Sequence, residues 1–192
     1  GCTDPAAVNY DYTAALDDGS CYYYGEVCSA PLNITPGANS STTVAGVSLE
    51  QDTYFTYTAQ TTGNMTVSSV GTPYDTYLAV MTSCEIGVVG YELDPTTGDT
   101  LYAIEGWVDL VAENDEVNGP GTEPLSSEAT FCVVAGQDYI IAWPAMYYYY
   151  YYYGESFDFT ITEFPDITTP VNVTALGNED GIAVSWDPIP AG

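Results

Sequence analysis

Residues 157–162 read Phe157-Asp158-Phe159-Thr160-Ile161-Thr162. Large apolar side chains alternate one for one with polar ones, and successive side chains of a strand point to opposite faces. The stretch therefore reads as a strand with one face in a core and the other in water. Met65 and Val67 alternate with Thr66 and Ser68 in the same way. Further strands are expected over Tyr54–Thr58, Thr76–Met81, Val88–Leu93, Thr100–Glu105, Trp107–Ala112, Ala129–Val134 and Asp138–Trp143. Turn formers separate them: Thr62-Gly63-Asn64, Asp94-Pro95-Thr96-Thr97-Gly98, Asn118-Gly119-Pro120-Gly121 and Ala135-Gly136-Gln137. No stretch has a convincing helical period. Many short strands with Gly, Pro and Asn turns predict an all-β domain over residues 26–164, an antiparallel β-sandwich.

The flanks read differently. Residues 1–25 have no apolar periodicity and are dense in Asp, Asn and Gly between Cys2 and Cys21. A segment this short cannot bury a core, so a Cys2–Cys21 disulfide or a metal must hold it. Residues 165–192 open on a linker bounded by Pro165 and Pro170. Then Val171, Val173 and Ala175 alternate, as do Ile182, Val184 and Trp186, which makes two strands joined near Asn178–Gly181. Two strands alone are not stable in water, so a partner is expected to cover them.

The 192 residues include 27 Asp or Glu and no Lys, Arg or His, a formal net charge of −27. Two readings account for this: an acidic surface of the halophilic kind, or a written sequence in which basic side chains stand as something else. As written, the surface repels phosphate backbones and anionic membranes, which argues against nucleic-acid binding and membrane insertion. Self-repulsion calls for counter-charge, and Ca²⁺ is the cation that hard carboxylate oxygens prefer. Hydrophobic residues make up 46% of the chain, ample for a core, yet no apolar run is long enough to span a bilayer. The chain starts at Gly1 with no signal peptide and reads as a mature or excised segment. Five Cys among many Thr, Ser, Gly and Tyr suggest an oxidising, extracellular or cell-surface location. Glycosylation triplets occur at Asn33, Asn39, Asn64 and Asn172.

Candidate metal ligands fall in two places. Asp4, Asn9, Asp11, Asp17 and Asp18 supply the oxygens that Ca²⁺ needs on a short loop, though without EF-hand spacing. The other reading is a solvated acidic loop stapled by Cys2–Cys21. Asp75, Asn114 and Asp115 are a second candidate set, with turn capping and solvation as the alternative. Catalysis is not expected: without His or Lys, a Ser or Cys nucleophile lacks its usual base. The run Tyr147–Tyr153 has three readings. It is a stacking platform for sugars, a β-zipper segment, or a stand-in for other bulky residues; the triplet Tyr22–Tyr24 and the missing cations favour the last.

Three stretches resemble known families. Cys2-Thr3-Asp4-Pro5, Asn9-Tyr10-Asp11 and Asp17-Asp18-Gly19-Ser20-Cys21 resemble a cassette repeated in large secreted bacterial surface proteins. Asp52–Ala59, Thr62–Ser68, Tyr74–Val80, Ser83-Cys84, Glu113–Asp115, Ala129–Cys132 and Ala135–Ile141 resemble, in order and spacing, the bacterial pre-peptidase C-terminal domain. That resemblance implies a jelly-roll-like, non-catalytic sandwich appended to secreted enzymes or adhesins, some of which bind Ca²⁺ or matrix polymers. It also implies a Cys84–Cys132 disulfide, with Cys28 free or paired outside the chain. Gly90–Gly106 departs from the family and reads as an inserted β-hairpin. Thr169–Ala175 and Asp180–Pro188 resemble the first two strands of a fibronectin type III domain, with Trp186 as its core tryptophan. Together these point to a structural or adhesive module of a secreted surface protein, a repeating subunit of an extracellular filament. It would contact copies of itself, adjacent modules or glycans. The alternative is an accessory polymer-binding domain of a secreted hydrolase.

Overall fold

The computed structural model describes residues 1–93, 96–97, 100–115, 125–145, 155–166, 174–178 and 181–185. The Tyr147–Tyr153 run, Asn172, Val171, Val173 and Trp186 lie outside the described residues. Thirteen strands are described: β1 (Leu32–Asn33), β2 (Ser41–Ser48), β3 (Thr53–Thr58), β4 (Gly63–Ser68), β5 (Leu78–Met81), β6 (Ile86–Leu93), β7 (Thr100–Trp107), β8 (Leu110–Asn114), β9 (Glu128–Val133), β10 (Asp138–Trp143), β11 (Ser156–Pro165), β12 (Thr174–Asn178) and β13 (Gly181–Ser185). Among the described residues the helical content is one 3-10 turn at Ala38–Ser40.

Two sheets face each other. One has the order β1-β3-β10-β5-β8 and the other β2-β11-β4-β9. The pairing is antiparallel throughout except that β1 runs parallel to β3. The alternation read from the sequence sets the inward faces: Phe157, Phe159 and Ile161 from β11 and Met65 and Val67 from β4 are buried. Phe55, Tyr57, Val80, Ile141 and Trp143 meet them from the other sheet. Trp143 sits edge-on to Phe157 at 5.0 Å, and Phe55 edge-on to Phe159 at 5.3 Å between ring centroids. These tilted contacts suit the aromatic quadrupoles and add to burial in joining the sheets.

β2 is where the period breaks. Its pairing with β11 slips between Phe157 and Phe159, which stand opposite Val47 and Val44. Two residues separate those valines where β11 has one, so β2 carries a bulge. Gly46 lies in it with φ +74°, and its amide donates to Asp158 Oδ1 at 3.0 Å. The expected insertion is a hairpin of β6 with β7, wider than Gly90–Gly106 and, among the described residues, hydrogen-bonded in register to neither large sheet, although its Trp107 packs on the five-stranded one. The β12–β13 hairpin is a further two-stranded sheet, with Ala175 opposite Val184 and Gly177 opposite Ile182.

A smaller cluster covers the outer face of the five-stranded sheet. Ala79, Met81 and Ala142 are buried there beneath Cys28, Tyr54, Tyr77, Trp107 and Ile140. This overturns the expected Cys84–Cys132 bond: Cys84 is joined to Cys28, and Cys132 is free and exposed. The reason is the layer order. Cys132 stands on β9 beside Asn64, on the outer face of the four-stranded sheet. Cys28 packs on the outer face of the other sheet, and Cys84 follows β5 of that sheet. The core lies between Cys84 and Cys132. The Cys2–Cys21 bond is present. Peptide mapping without reduction is expected to return Cys2–Cys21 and Cys28–Cys84, with Cys132 alone alkylated. A Cys84–Cys132 peptide would contradict this placement.

Candidate functional site

The N-terminal cassette uses its carboxylates locally. Asp4 accepts from the Ala6 amide at 2.9 Å, Asp11 from Thr13 at 2.8 Å, Asp17 from Gly19 at 2.9 Å and Asp18 from Ser20 at 3.0 Å. Each is the Asx turn that a short acidic side chain makes with the amide two residues on. Asn9 ties the ends together, accepting from the Tyr22 amide at 3.0 Å and donating to the Ser20 carbonyl at 2.6 Å. The Tyr23 hydroxyl on Asp4, at 2.5 Å, leads the contacts that hold that carboxyl below its ordinary value, and the Thr13 hydroxyl does the same for Asp11. The Asp18 carboxyl is likewise lowered, first by the Ser20 hydroxyl. Among the described residues, no three or more Cys, Asp or Glu side chains group so as to hold a metal ion.

The chain segments that carry the second acidic set meet at Ser127, through backbone and hydroxyl contacts rather than as a cluster of carboxylates. Asn114 Oδ1 accepts from the Glu128 amide at 3.0 Å, and the Asp115 carbonyl from Ser127 Oγ at 2.7 Å. Ser127 Oγ also donates to the Thr76 carbonyl, next to the buried Asp75. The Ser127 amide donates to Ser69 Oγ at 2.9 Å and Thr76 Oγ1 at 3.0 Å. Ser69, Thr76 and Ser127 are all buried, so this hydroxyl knot pins β4, β5 and β9 where the sheets meet. The sequence reading missed these three, because Ser and Thr outside a periodic stretch carry no signal of burial.

It also missed Glu163. β11 continues its inward row from Ile161 to Glu163, which is buried. Its carboxylate accepts from Tyr57 Oη at 2.7 Å, the Gln60 amide at 2.9 Å, and the Thr61 amide and hydroxyl at 2.7 and 2.6 Å. Burial raises its pKa, but these donors outweigh burial and leave it below the ordinary value. Burial and the Glu163 carboxylate push the Tyr57 phenol up to about 12.

Of the glycosylation triplets, Asn33 on β1 and Asn64 on β4 are exposed. Asn64 Oδ1 accepts from Cys132 Sγ at 3.5 Å. Asn39 lies in the 3-10 turn.

Two surface features could contact a partner. The first is the β6–β7 ribbon. Its register puts Ile86, Val88 and Tyr91 on one face, 66%, 49% and 60% exposed. The second is a cleft of 420 Å³ between the 69–74 loop and the start of β11. Ser68 and Thr160, neighbours in the β4–β11 pairing, form part of its lining with Phe157. Thr72, Pro73 and Tyr74 line it from the loop, and Ser156 and Asp158 from β11. The Tyr74 hydroxyl donates to Glu155 Oε2 at 2.5 Å, tying the loop to the residue before β11.

No family model matches the chain, and no curated protein does. Solved structures are similar over 69% of its length. One is the crystal structure of Aeromonas hydrophila PliG, a periplasmic lysozyme inhibitor of g-type lysozyme. It has 14% identity, a TM-score of 0.38 and 94% of its own chain covered. Another is the pre-peptidase C-terminal domain of collagenase from Bacillus anthracis, with 13% identity, a TM-score of 0.32 and 92% of that chain covered.

Proposed function

We propose that this chain is a non-catalytic structural or adhesive module of a secreted, cell-surface protein, and that it repeats as the subunit of an extracellular filament. The observation that carries this reading is the β6–β7 ribbon. Among the described residues its strands pair only with each other, and its apolar row Ile86, Val88 and Tyr91 faces solvent. Such a ribbon is marginal in water, and its free edges invite another strand. By its pairing alone, among the described residues, the β12–β13 hairpin is a second two-stranded ribbon. A further copy or an adjacent module would cover both through a head-to-tail contact that repeats without closing. Two disulfides suit a secreted compartment. A chain without Lys or His has no usual base for a Ser or Cys nucleophile.

A charge of −27 per copy opposes stacking, so Ca²⁺ as counter-charge is part of the proposal. Sedimentation and negative-stain microscopy at neutral pH test it. The expected result is a polymer in Ca²⁺ that a chelator disperses. A Val88→Asp chain should stay monomeric with its thermal unfolding unchanged. A wild-type chain that remains monomeric in Ca²⁺ at every concentration overturns the filament. The accessory polymer-binding reading is favoured instead by the cleft beside β11.

A further inference from the structure

We propose that the cleft between the 69–74 loop and β11 binds a neutral glycan. The site goes beyond the filament reading and stands or falls independently of it. Its lining is chemically mixed in the way a sugar requires. Ser68, Thr72, Ser156 and Thr160 bring hydroxyls, Asp158 a carboxylate, and Tyr74 an aromatic ring. Sugars present alternating O–H and C–H surface, which hydroxyls and carboxylates meet by hydrogen bonds and an aromatic ring by apolar contact. At 420 Å³ the cleft falls within the ~300–1,000 Å³ usual for ligand pockets.

The polar groups are held in place. Ser68 Oγ accepts from the Val70 amide at 3.2 Å, which leaves its own proton to donate. Asp158 Oδ1 is engaged by the Gly46 amide at the β2 bulge, which fixes the carboxylate and leaves Oδ2 as an acceptor. The bulge that interrupts β2 thus holds a cleft residue in position. Tyr74 is anchored from below, since it packs against the main core, and from its tip by Glu155. A pre-organised wall spares a ligand part of the ordering cost of binding.

Charge selects among ligands. Every ionisable side chain but Tyr and Cys is acidic, so phosphate, sulfate and uronate ligands are repelled. A single carboxylate among hydroxyls is a hydrogen-bond acceptor for a sugar rather than a binding locus for a polycation. The sheet also extends the site. Beyond Thr160, the outward positions of the four-stranded sheet continue as Thr162, Thr66 and Thr130, which are paired in register. A polysaccharide longer than the cleft would run on across this hydroxyl face.

The test is native electrophoresis of the full chain in gels containing one neutral polysaccharide each: galactomannan, xylan, hydroxyethylcellulose or amylose. At least one is expected to retard the wild-type chain, equally in low and high salt. Thr160→Val and Ser156→Ala should each weaken that retention roughly fivefold, the loss of about one neutral hydrogen bond. Thr58→Val, on the outer face of the other sheet, should leave it unchanged. Near-ultraviolet circular dichroism checks that each variant keeps its aromatic packing. Three results overturn the site: no retention by any neutral polysaccharide, retention only in a parallel chitosan gel that salt abolishes, and equal retention of wild type and both cleft variants, which would place the binding elsewhere.

Discussion

Replacing Glu163 with alanine is expected to lower the unfolding free energy by about 3 kcal/mol, because a buried donor left without an acceptor costs about 1–3 kcal/mol and the half-buried ones add a smaller cost as they regain water. The groups stranded are the Tyr57 hydroxyl, the Gln60 and Thr61 amides and the Thr61 hydroxyl. They belong to the end of β3 and the β3–β4 turn, so the loss would release that turn from β11. Glu163→Gln keeps an acceptor in place but loses the charge, and a milder loss of about 1 kcal/mol is expected at neutral pH. The pH dependence separates the two effects. The folded-state pKa lies below the ordinary 4.5, so the stabilisation is complete above that value and disappears as pH falls through the lower folded pKa. Protonating the other carboxylates relieves repulsion over the same range and acts in the opposite direction. The informative quantity is therefore the difference between wild type and Glu163→Gln in urea unfolding along a pH series. It should shrink as the acid is titrated. A difference that stays constant from neutral pH to pH 3, about one and a half units under the ordinary 4.5, would show that the charge plays no part.

Gly63→Ala is the second large effect. Gly63 opens β4 and stands between Val133 of β9 and Pro165 of β11. A Cβ there would lie 2.2 Å from the Phe164 carbonyl oxygen and 2.6 Å from the Asp166 amide nitrogen. Both are backbone atoms, and neither can rotate away. The Asp166 amide also donates to the Thr62 carbonyl at 2.9 Å, which clamps the two strands at this point. The added methyl must push β11 off β4, next to the Glu163 clamp. Overpacking of this kind costs about 1–3 kcal/mol and the positive φ of Gly63 about 1–2 more, so a loss of about 3–4 kcal/mol is expected. Gly46→Ala is the control. Its φ is also positive, but nothing lies within 4 Å of the added Cβ, so only the backbone strain of about 1 kcal/mol should appear. Thermal and urea unfolding of both variants decide the matter. Equal losses would mean that strain, not the clash, governs Gly63.

The alternation of Phe157, Phe159 and Ile161 with Asp158, Thr160 and Thr162 was sufficient to read a half-buried strand, because a side-chain period of two survives any tertiary arrangement that buries one face. Met65 and Val67 were legible for the same reason, and Asp138–Trp143 as a short apolar run after a turn, a run that packs on both faces. So was the Cys2–Cys21 staple, since a segment this short and without apolar periodicity has few other ways to hold together. β2 was not legible: its bulge shifts the phase between Val44 and Val47, and a scan for strict alternation loses the strand there. The parallel β1, two residues long, carries no period at all.

The rest was decided by the packing of one sheet on the other. Which cysteine bonds Cys84 depends on which layer each occupies, and spacing along the chain does not record layers. Glu163 occupies an inward position that the alternation assigns to an apolar residue. Only the arrival of the β3–β4 turn, a hundred residues earlier in the chain, supplies the donors that make a buried carboxylate tolerable there. Ser68, Tyr74 and Asp158 are unremarkable in the sequence, a strand residue, a turn residue and a solvent-facing acid. They become a cleft because β11 pairs with β4 and the loop after β4 folds back over the start of β11. Local chemistry sets the strands and the staple. Contacts between residues far apart in the chain set the disulfide, the buried acid and the cleft, because each needs two surfaces that meet only when the sandwich closes.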